Sequence, residues 1–315
     1  MQEAYTSYLR QLQSLRGNPA IVYHSDLTGD GVRMLYECLR KLGRTEHLDL
    51  ILYTAGGSVT RAHQAATLLR EHARYLTILV PYRARSAGTL LCLAADEMVL
   101  GPMAELGPID SHIGSAGHTP PDAPGMISAE DVRSFRRMAE EWFGVGREEG
   151  RLQVLALVAQ RIFPTSLSSF YRYDKLVRHA ADQLLVYQMP GTEASRRQRI
   201  VDQLVGGYYA HDQVISRAEI RELGLRATDA TPEVEALLWN LTQACGARTP
   251  ESYGGAWGEG ALGLVASVDF RAEQAPPQTG GNSQQRRGSY SSDEPDFTPE
   301  GVDEESTELT WKMYP

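Results

Sequence analysis

The stretch "YRARSAGTLLCLAADEMVLGP", residues 82–102, places a serine at the mouth of an apolar segment. Two roles suit Ser86. Serine is a common N-cap of helices, because its hydroxyl accepts a hydrogen bond from the first turn. A serine hydroxyl can also be a nucleophile toward a carbonyl carbon, and the small Ala87 and Gly88 leave room for a substrate beside it. Taken alone, the stretch favours the cap.

A second motif, "YTAGGSV" at residues 53–59, carries Gly56 and Gly57 between a predicted strand and a predicted helix. A glycine pair permits a sharp turn and exposes backbone N–H groups, which can hold a phosphate, a thioester oxygen or a tetrahedral oxyanion. It lacks the span of GxGxxG and the lysine of a P-loop. Ser86 follows at the next strand–helix loop, and such loops leave a parallel sheet at one edge. The N–H groups of Gly57 and Ala87 are therefore predicted to form an oxyanion hole beside Ser86.

A nucleophilic serine needs a base, usually histidine or lysine. "LGPIDSHI" supplies Asp110 and His112, and "YYAHDQVISR" supplies His211 where the helical period breaks. Lys175 lies in a helical segment, where an exposed charge is the simpler interpretation. We favour His211 as the base, oriented by Asp110 if the chain folds back. Lys175 and His112 stay as alternatives.

The elements that must position these residues follow an alternating pattern. Short apolar runs predict buried strands, and runs with a period near 3.6 separate them. Strand and helix in alternation predict an α/β fold with parallel pairing through right-handed crossovers. A C-terminal helical region follows, broken at Pro164. The predicted strands are residues 20–25, 48–54, 76–82 and 97–102, and the later helices lie within 128–144, 150–188, 192–207, 216–224 and 231–246.

Composition sets the predicted domain boundaries. Residues 1–246 hold the periodic pattern, 247–270 are interpreted as a linker, and 271–315 as a disordered acidic tail rich in Pro, Gly and Ser, which cannot bury enough apolar area to fold. The closing "TWKMYP" could dock, but a solvated terminus is favoured. The Gly- and Pro-rich residues 115–125 are predicted to be a surface loop.

The bulk properties exclude several functions. The chain has 315 residues, 42% of them hydrophobic, and a formal net charge of −9, which disfavours nucleic acids and anionic membranes as partners. Cys38, Cys92 and Cys245 form neither a CxxC pair nor an even set, so no disulfide framework, metal or cofactor is predicted. Cys92 is predicted to be a small buried apolar residue. We see no leader or membrane-spanning segment and expect a cytoplasmic protein.

"AGGSV" followed by "ARSAGTLLCLAADEMVLGPMAELGPID" resembles the serine dehydrogenase proteinase family. That family belongs to the ClpP/crotonase superfamily, together with signal peptide peptidase A and the Clp proteolytic subunit. The resemblance covers residues 20–110 and resumes more loosely at "ISAEDV" and "YYAHDQVISRAEIRELGL". It implies a crotonase-like spiral of ββα units, assembled as trimers, hexamers or rings.

The same resemblance assigns roles to residues. Ser86 matches the nucleophile, and Gly57 and Ala87 match the oxyanion donors. Clp subunits carry a histidine about one strand and a turn after the serine, where this chain has Asp110 and, two residues on, His112. Signal peptide peptidase relatives use a lysine.

Three functions follow. The leading hypothesis is a serine endopeptidase that cleaves peptides or proteins through an acyl-enzyme at Ser86, without a cofactor. The second is a crotonase-like acyl-CoA enzyme, favoured by Asp110 near the position of the peptidase histidine. The third is a weakly active or inactive homo-oligomeric scaffold that presents its acidic tail to a protein partner.

Overall fold

The computed structural model of this chain describes residues 2–109, 112–114, 126–145, 148–161, 164–245, 264–274 and 311–314. Its strands are β1 (Ala20–His24), β2 (Thr45–Tyr53), β3 (Ala73–Val80), β4 (Arg83–Ala84), β5 (Glu97–Leu100), β6 (Glu105–Leu106), β7 (His112–Gly114), β8 (Met126–Ser128), β9 (Ala227–Asp229), β10 (Leu264–Ser267), β11 (Phe270–Gln274) and β12 (Trp311–Tyr314).

The helices in these ranges follow the periodic segments of the sequence. They are α1 (Gln2–Arg16), α2 (Gly29–Leu42), α3 (Val59–His72), α4 (Ala87–Cys92), α5 (Ala129–Phe143), α6 (Glu148–Arg161), α7 (Pro164–Gln188), α8 (Ala194–Gly206), α9 (Arg217–Glu222) and α10 (Pro232–Ala244). The predicted break at Pro164 is confirmed, because α6 ends before it and α7 begins with it. None of these helices combines the length and apolarity needed to cross a bilayer.

The central sheet has eight strands in the order β12-β11-β10-β1-β2-β3-β5-β9. The strands β1, β2, β3, β5 and β9 pair in parallel, and β10, β11 and β12 pair antiparallel at one side. Two short pairs, β4 with β6 and β7 with β8, stand apart from it. The predicted α/β fold with a mostly parallel sheet is confirmed.

The sheet is covered on both faces, as its apolar strands require. Side chains from one face, such as Ile21 and Tyr23 of β1, pack with α2, α3, α4, α7 and α8. Side chains from the other, such as Ala20 and Val22, pack with α1 and α10. Cys92 of α4 is fully buried, as predicted, and burial raises the pKa of its thiol.

The C-terminal part differs from the composition-based boundaries. Strand β10 falls within the predicted linker and pairs with β1. Strand β11 begins at Phe270, the last residue of that linker, and runs into the predicted disordered tail, where β12 pairs with it. Strands this short leave little periodicity, and their pairing partners are remote in sequence. The acidic residues 275–310 and the predicted loop 115–125 lie outside the described residues.

Candidate active site

The glycine-pair loop and the serine loop meet at the carboxyl edge of the parallel strands. The N–H of Thr54 donates to the Arg83 carbonyl at 2.9 Å, and the N–H of Arg85 donates to the Thr54 carbonyl at 3.2 Å. A Cβ atom placed on Gly56 would lie 3.1 Å from the Cβ of Ser86 and 3.6 Å from its Oγ. Only glycine permits this approach, so the structure brings the two motifs together as the sequence predicts.

The backbone of Ser86 is held in a left-handed conformation. Its φ is 51° and its ψ −113°, and it is the one non-glycine residue with positive φ in the described part of the chain. An N-cap residue normally has extended backbone and accepts a hydrogen bond from the first turn, but the Ser86 side chain makes no such bond. Ser86 therefore occupies the N-cap position of α4 without capping the helix through its hydroxyl. A strain of about 1–3 kcal/mol of this kind persists where the surroundings impose it, often at functional sites.

Thr54 and Thr89 hold this conformation in place. The Thr54 hydroxyl accepts the Gly56 N–H at 3.1 Å and so shapes the glycine turn. The Thr89 Oγ1 accepts the Gly107 N–H at 3.0 Å and lies 2.9 Å from the Ala84 carbonyl and 2.8 Å from that of Gly107. Both threonines are buried, so these contacts fix the backbone on either side of Ser86.

Gly57 is held against the neighbouring strand end. The N–H of Leu27 donates to the Gly56 carbonyl at 2.8 Å, and the N–H of Ser58 donates to the Leu27 carbonyl at 2.9 Å. In a parallel bridge of this kind the N–H of the central residue, here Gly57, points away from the partner strand. A Cβ on Gly57 would lie 2.7 Å from the Leu27 carbonyl oxygen, so the site requires glycine.

Two backbone donors are available beside Ser86. Ala87 is the first residue of α4, where a helix leaves its N–H groups without an intrahelical acceptor. Among the described residues, neither the Ala87 nor the Gly57 N–H donates a hydrogen bond. Ser86 is only 8% exposed, so a carbonyl oxygen reaching these donors would leave bulk water. Backbone N–H groups without an acceptor, beside a serine that lies against a glycine turn, are what an oxyanion hole requires.

Asp26 was missed by the sequence analysis and lies beside the glycine-pair loop. It lies two residues after the end of β1 and precedes Leu27, the residue paired with Gly57. Burial raises the pKa of Asp26 to about 7, and the Ala55 N–H lowers it in part. The sequence signal that could have found Asp26 is its position. A polar residue shortly after a buried strand lies at the sheet edge where the loops with Gly57 and Ser86 also lie.

His24, at the end of β1, is a buried neutral histidine. Burial lowers its pKa to about 4, and its ring lies 4.2 Å from that of Tyr53, centre to centre. At neutral pH it therefore carries no charge.

The favoured base, His211, lies in an exposed turn after α8. The chain does fold back here, because Leu106 of β6 and Ile215 exchange backbone hydrogen bonds of 3.2 and 3.0 Å. Strand β6 in turn pairs with β4, which leads into Ser86. The Ile109 N–H donates to the Leu204 carbonyl at 2.8 Å, but Asp110 itself lies outside the described residues.

The alternative bases are placed differently. Lys175 is exposed on α7, and its Nζ lies 5.5 Å from the centre of the Tyr171 ring. His112 begins β7, and its side chain lies outside the described residues. Within the described part of the chain, the Ser86 hydroxyl makes no hydrogen bond, and no group of three or more His, Cys, Asp or Glu side chains could hold a metal ion.

Comparison with known proteins finds a family match for the segment that carries the site. Residues 20–128 match the model of the family described as ClpP-like SDH-type serine proteinase. The resemblance seen in the sequence is thus confirmed over this segment, which includes Ser86, Gly57 and Ala87. The match supports a peptidase-type function.

Two relatives are uncharacterised proteins of Methanocaldococcus jannaschii. One is 27% identical over 207 residues, 66% of this chain and 62% of the relative. The other is 25% identical over 207 residues, 65% of this chain and 61% of the relative. The matched region therefore spans less than two thirds of either relative. Among solved structures, a mutant of the 1510-N membrane-bound stomatin-specific protease is similar at 12% identity with a TM-score of 0.42, over 67% of this chain and 77% of that one.

Proposed function

We propose that this protein is a serine endopeptidase whose nucleophile is Ser86. Its Oγ attacks the carbonyl carbon of a peptide bond, and the resulting oxyanion accepts hydrogen bonds from the N–H groups of Gly57 and Ala87. The amine leaves with a proton, and water hydrolyses the acyl-enzyme and regenerates the hydroxyl. The observation that carries the proposal is the left-handed backbone of Ser86, which lies against Gly56.

The proton from Ser86 goes, in this proposal, to His211, with Asp110 as the group that orients it. The pairing of Ile215 with Leu106 supports this choice, because it places the segment after α8 beside β6, and β6 pairs with β4, the strand that leads into Ser86. Catalytic hydrogen bonds are often long until substrate binds, so the absence of a bond to Ser86 leaves the proposal open to experiment. His112 and Lys175 are the alternatives.

A fluorophosphonate probe read by intact mass tests the nucleophile. We expect one adduct on the wild type and none on Ser86→Ala. Ser58→Ala is the matched control, because Ser58 is a true N-cap whose Oγ accepts from the Arg61 N–H, and it should label like the wild type. Equal labelling of wild type and Ser86→Ala would overturn the proposal.

The same probe ranks the bases. A base that activates Ser86 should, when replaced by alanine, lower the labelling rate on the order of 10²-fold or more. We expect this for His211→Ala and not for Lys175→Ala. Normal labelling of His211→Ala would transfer the role to His112 or Lys175, whichever alanine variant loses it.

The inactive scaffold is the second candidate, and one observation favours it: the Ser86 hydroxyl has no hydrogen-bonded proton acceptor within the described residues. It predicts a folded chain that no fluorophosphonate labels. The acyl-CoA alternative is less well supported, because backbone N–H groups alone can hold a thioester oxygen and a strained serine adds nothing to that task. Saturable calorimetric binding of CoA thioesters would revive it.

We further propose that the protein self-associates through α5 and α6, in a cytoplasmic setting. Several large apolar side chains on these helices are exposed, which is unusual unless a partner covers them. Replacing Leu155 by Asp should then lower the mass measured by light scattering, and an unchanged mass would contradict this. The exposed side chains are Trp142, Phe143, Leu152, Leu155 and Leu157.

A further inference from the structure

Two arginines and one glutamate form a cluster on the strand that leads into Ser86. Arg83 of β4 and Glu105 of β6 are paired in register, and Arg85 follows two residues after Arg83. Side chains alternate along a strand, so Arg83, Arg85 and Glu105 share one face. The intervening Ala84 and its partner Leu106 are buried on the other.

Both guanidinium groups share one carboxylate oxygen. The Nε of Arg83 lies 2.6 Å and the Nη2 of Arg85 2.9 Å from Oε1 of Glu105. Two positive charges and one negative charge leave the cluster with a net charge of +1. The side chains are only 19%, 22% and 13% exposed for Arg83, Arg85 and Glu105 respectively, so solvent screens the excess charge poorly.

Arg85 also has an unused donor. Its Nε is buried, and within the described residues it has no hydrogen-bond partner. A buried donor without an acceptor is costly. The stem of this side chain is fixed, because a Cβ on Gly107 would lie 3.3 Å from the Cβ and Cγ of Arg85, and Gly107 is itself held by Thr89. The cluster therefore holds an ordered and partly exposed cation, in excess over its single carboxylate, directly before the nucleophile.

We propose that Arg85, supported by Arg83 and Glu105, is a subsite for a carboxylate of the peptide substrate. The inference rests on the proposed function for the reaction, but it concerns binding. A guanidinium matches a carboxylate well, since both are planar and charge-assisted hydrogen bonds between them are strong. Arg85 adjoins Ser86 in the chain, and consecutive residues are 3.8 Å apart. The carboxylate therefore lies within about two residues of the scissile bond.

Peptide binding to the Ser86→Ala protein tests the subsite without any reaction. Fluorescence anisotropy compares acetylated, amidated peptides that carry Asp within two residues of the central bond with their Asn counterparts. At one of the tested positions, the peptide with Asp should bind at least about tenfold more tightly than the peptide with Asn. A neutral peptide with a free C-terminus forms the second arm. Tight binding there instead would assign the carboxylate to the chain terminus.

Replacement of Arg85 supplies the decisive comparison. In the Ser86→Ala background, Arg85→Gln should reduce the preference for Asp to within about twofold. Glu105 keeps its ion pair with Arg83 in this variant, so the change does not leave a buried carboxylate unpaired. Arg74→Gln is the matched control, because Arg74 is an exposed arginine also paired with a glutamate, Glu46, at the opposite edge of the sheet. It should keep the full preference.

The outcomes separate this inference from the proposed reaction. Equal binding of Asp and Asn peptides at every position, no peptide binding at all, or a preference that survives Arg85→Gln would overturn the subsite. If the wild-type protein is not labelled at Ser86 but the Ser86→Ala protein still prefers Asp peptides, the subsite is supported and the proposed reaction is contradicted.

Discussion

The two halves of the central sheet are built differently. In the parallel half, most strands are followed by a helix, and the connecting loops at one edge carry the candidate site. The antiparallel half, β10 to β12, comes from the C-terminal residues and carries none of the candidate site residues. The contrast teaches that the site depends on close backbone approaches within one half, while the other half completes the sheet.

Gly57→Ala is expected to change the free energy of unfolding most. The added methyl would lie 2.7 Å from the Leu27 carbonyl oxygen at a φ of +122°, so the loop must move. We expect the free energy of unfolding to fall by about 3 kcal/mol or more, as for a change that combines overpacking with backbone strain, and fluorophosphonate labelling to disappear. Urea denaturation and intact mass measure the two effects.

Gly43→Ala is the control for this change. Gly43 also has a positive φ, +77°, but nothing lies within 4 Å of an added Cβ. Replacing Gly43 by alanine should lower the free energy of unfolding only by the backbone strain, about 1–2 kcal/mol. Labelling of Ser86 should stay at the wild-type rate. Equal losses at the two glycines would show that conformational strain, and not the contact with Leu27, limits the site.

Thr89→Val is expected to have the second largest effect on the free energy of unfolding. The change keeps the shape of the side chain but removes the oxygen that accepts the Gly107 N–H and contacts two carbonyls. Leaving these buried groups unpaired should cost about 2–3 kcal/mol and slow labelling of Ser86. Thr67→Val, at an exposed threonine whose hydroxyl donates to the His63 carbonyl, should change the free energy of unfolding by less than about 0.5 kcal/mol. Similar losses in both variants would remove the role of Thr89.

Asp26→Asn should change the pH dependence of stability. The pKa of Asp26 is raised from 3.8 to about 7 by burial, so between these values the folded state keeps a proton that the unfolded state releases. Its contribution to the free energy of unfolding therefore falls as the pH rises through this window and is most unfavourable above pH 7. Asparagine removes that cost, and we expect roughly 2 kcal/mol of stabilisation at pH 8 and almost none at pH 4.

The difference between wild type and variant isolates Asp26 from other groups. His24, whose pKa is lowered to about 4, acts with the opposite sign between pH 4 and about 6.5 but cancels in that difference. Asp30→Asn, at an exposed carboxylate paired with Arg33, serves as the control for removing a nearby carboxylate that is not buried. A stability difference between wild type and Asp26→Asn that does not change with pH would contradict the raised pKa of Asp26.

Removing residues 311–315 is expected to change the free energy of unfolding least. This deletes the outer strand β12, whose four cross-strand pairs with β11 are worth about 1 kcal/mol in all. Thermal unfolding should shift slightly downward, while labelling of Ser86 stays at the wild-type rate. Loss of labelling on truncation would show that the two halves are coupled and would contradict the comparison.

The parallel half was predictable because its signals are local. Each apolar run and each helical period is contained in a short window, and the positions of Gly56, Gly57 and Ser86 at successive loops place them at one edge. The left-handed backbone of Ser86 was not predictable. It depends on contacts between residues far apart in sequence: the backbone hydrogen bonds of Thr54 with Arg83 and Arg85, and the contact of the Thr89 hydroxyl with Gly107.

The antiparallel half was missed for a related reason. Strands β10 and β12 have four residues each, and β10 is stabilised by pairing with β1, more than 200 residues away. The composition of the C-terminal residues reflects their many polar side chains and gives no information on which strands pair. Asp26 was missed because no motif marks it, and its environment exists only once β1 and the glycine-pair loop are assembled.

The central claim is that the Gly57 and Ala87 N–H groups surround the oxygen of a group bonded to Ser86. A crystal structure of the phosphonate adduct tests it most directly. We predict phosphorus bonded to the Ser86 Oγ and its oxygen about 2.7–3.1 Å from both backbone nitrogens. An adduct on another residue, or an oxygen that faces away from both nitrogens, would contradict the account.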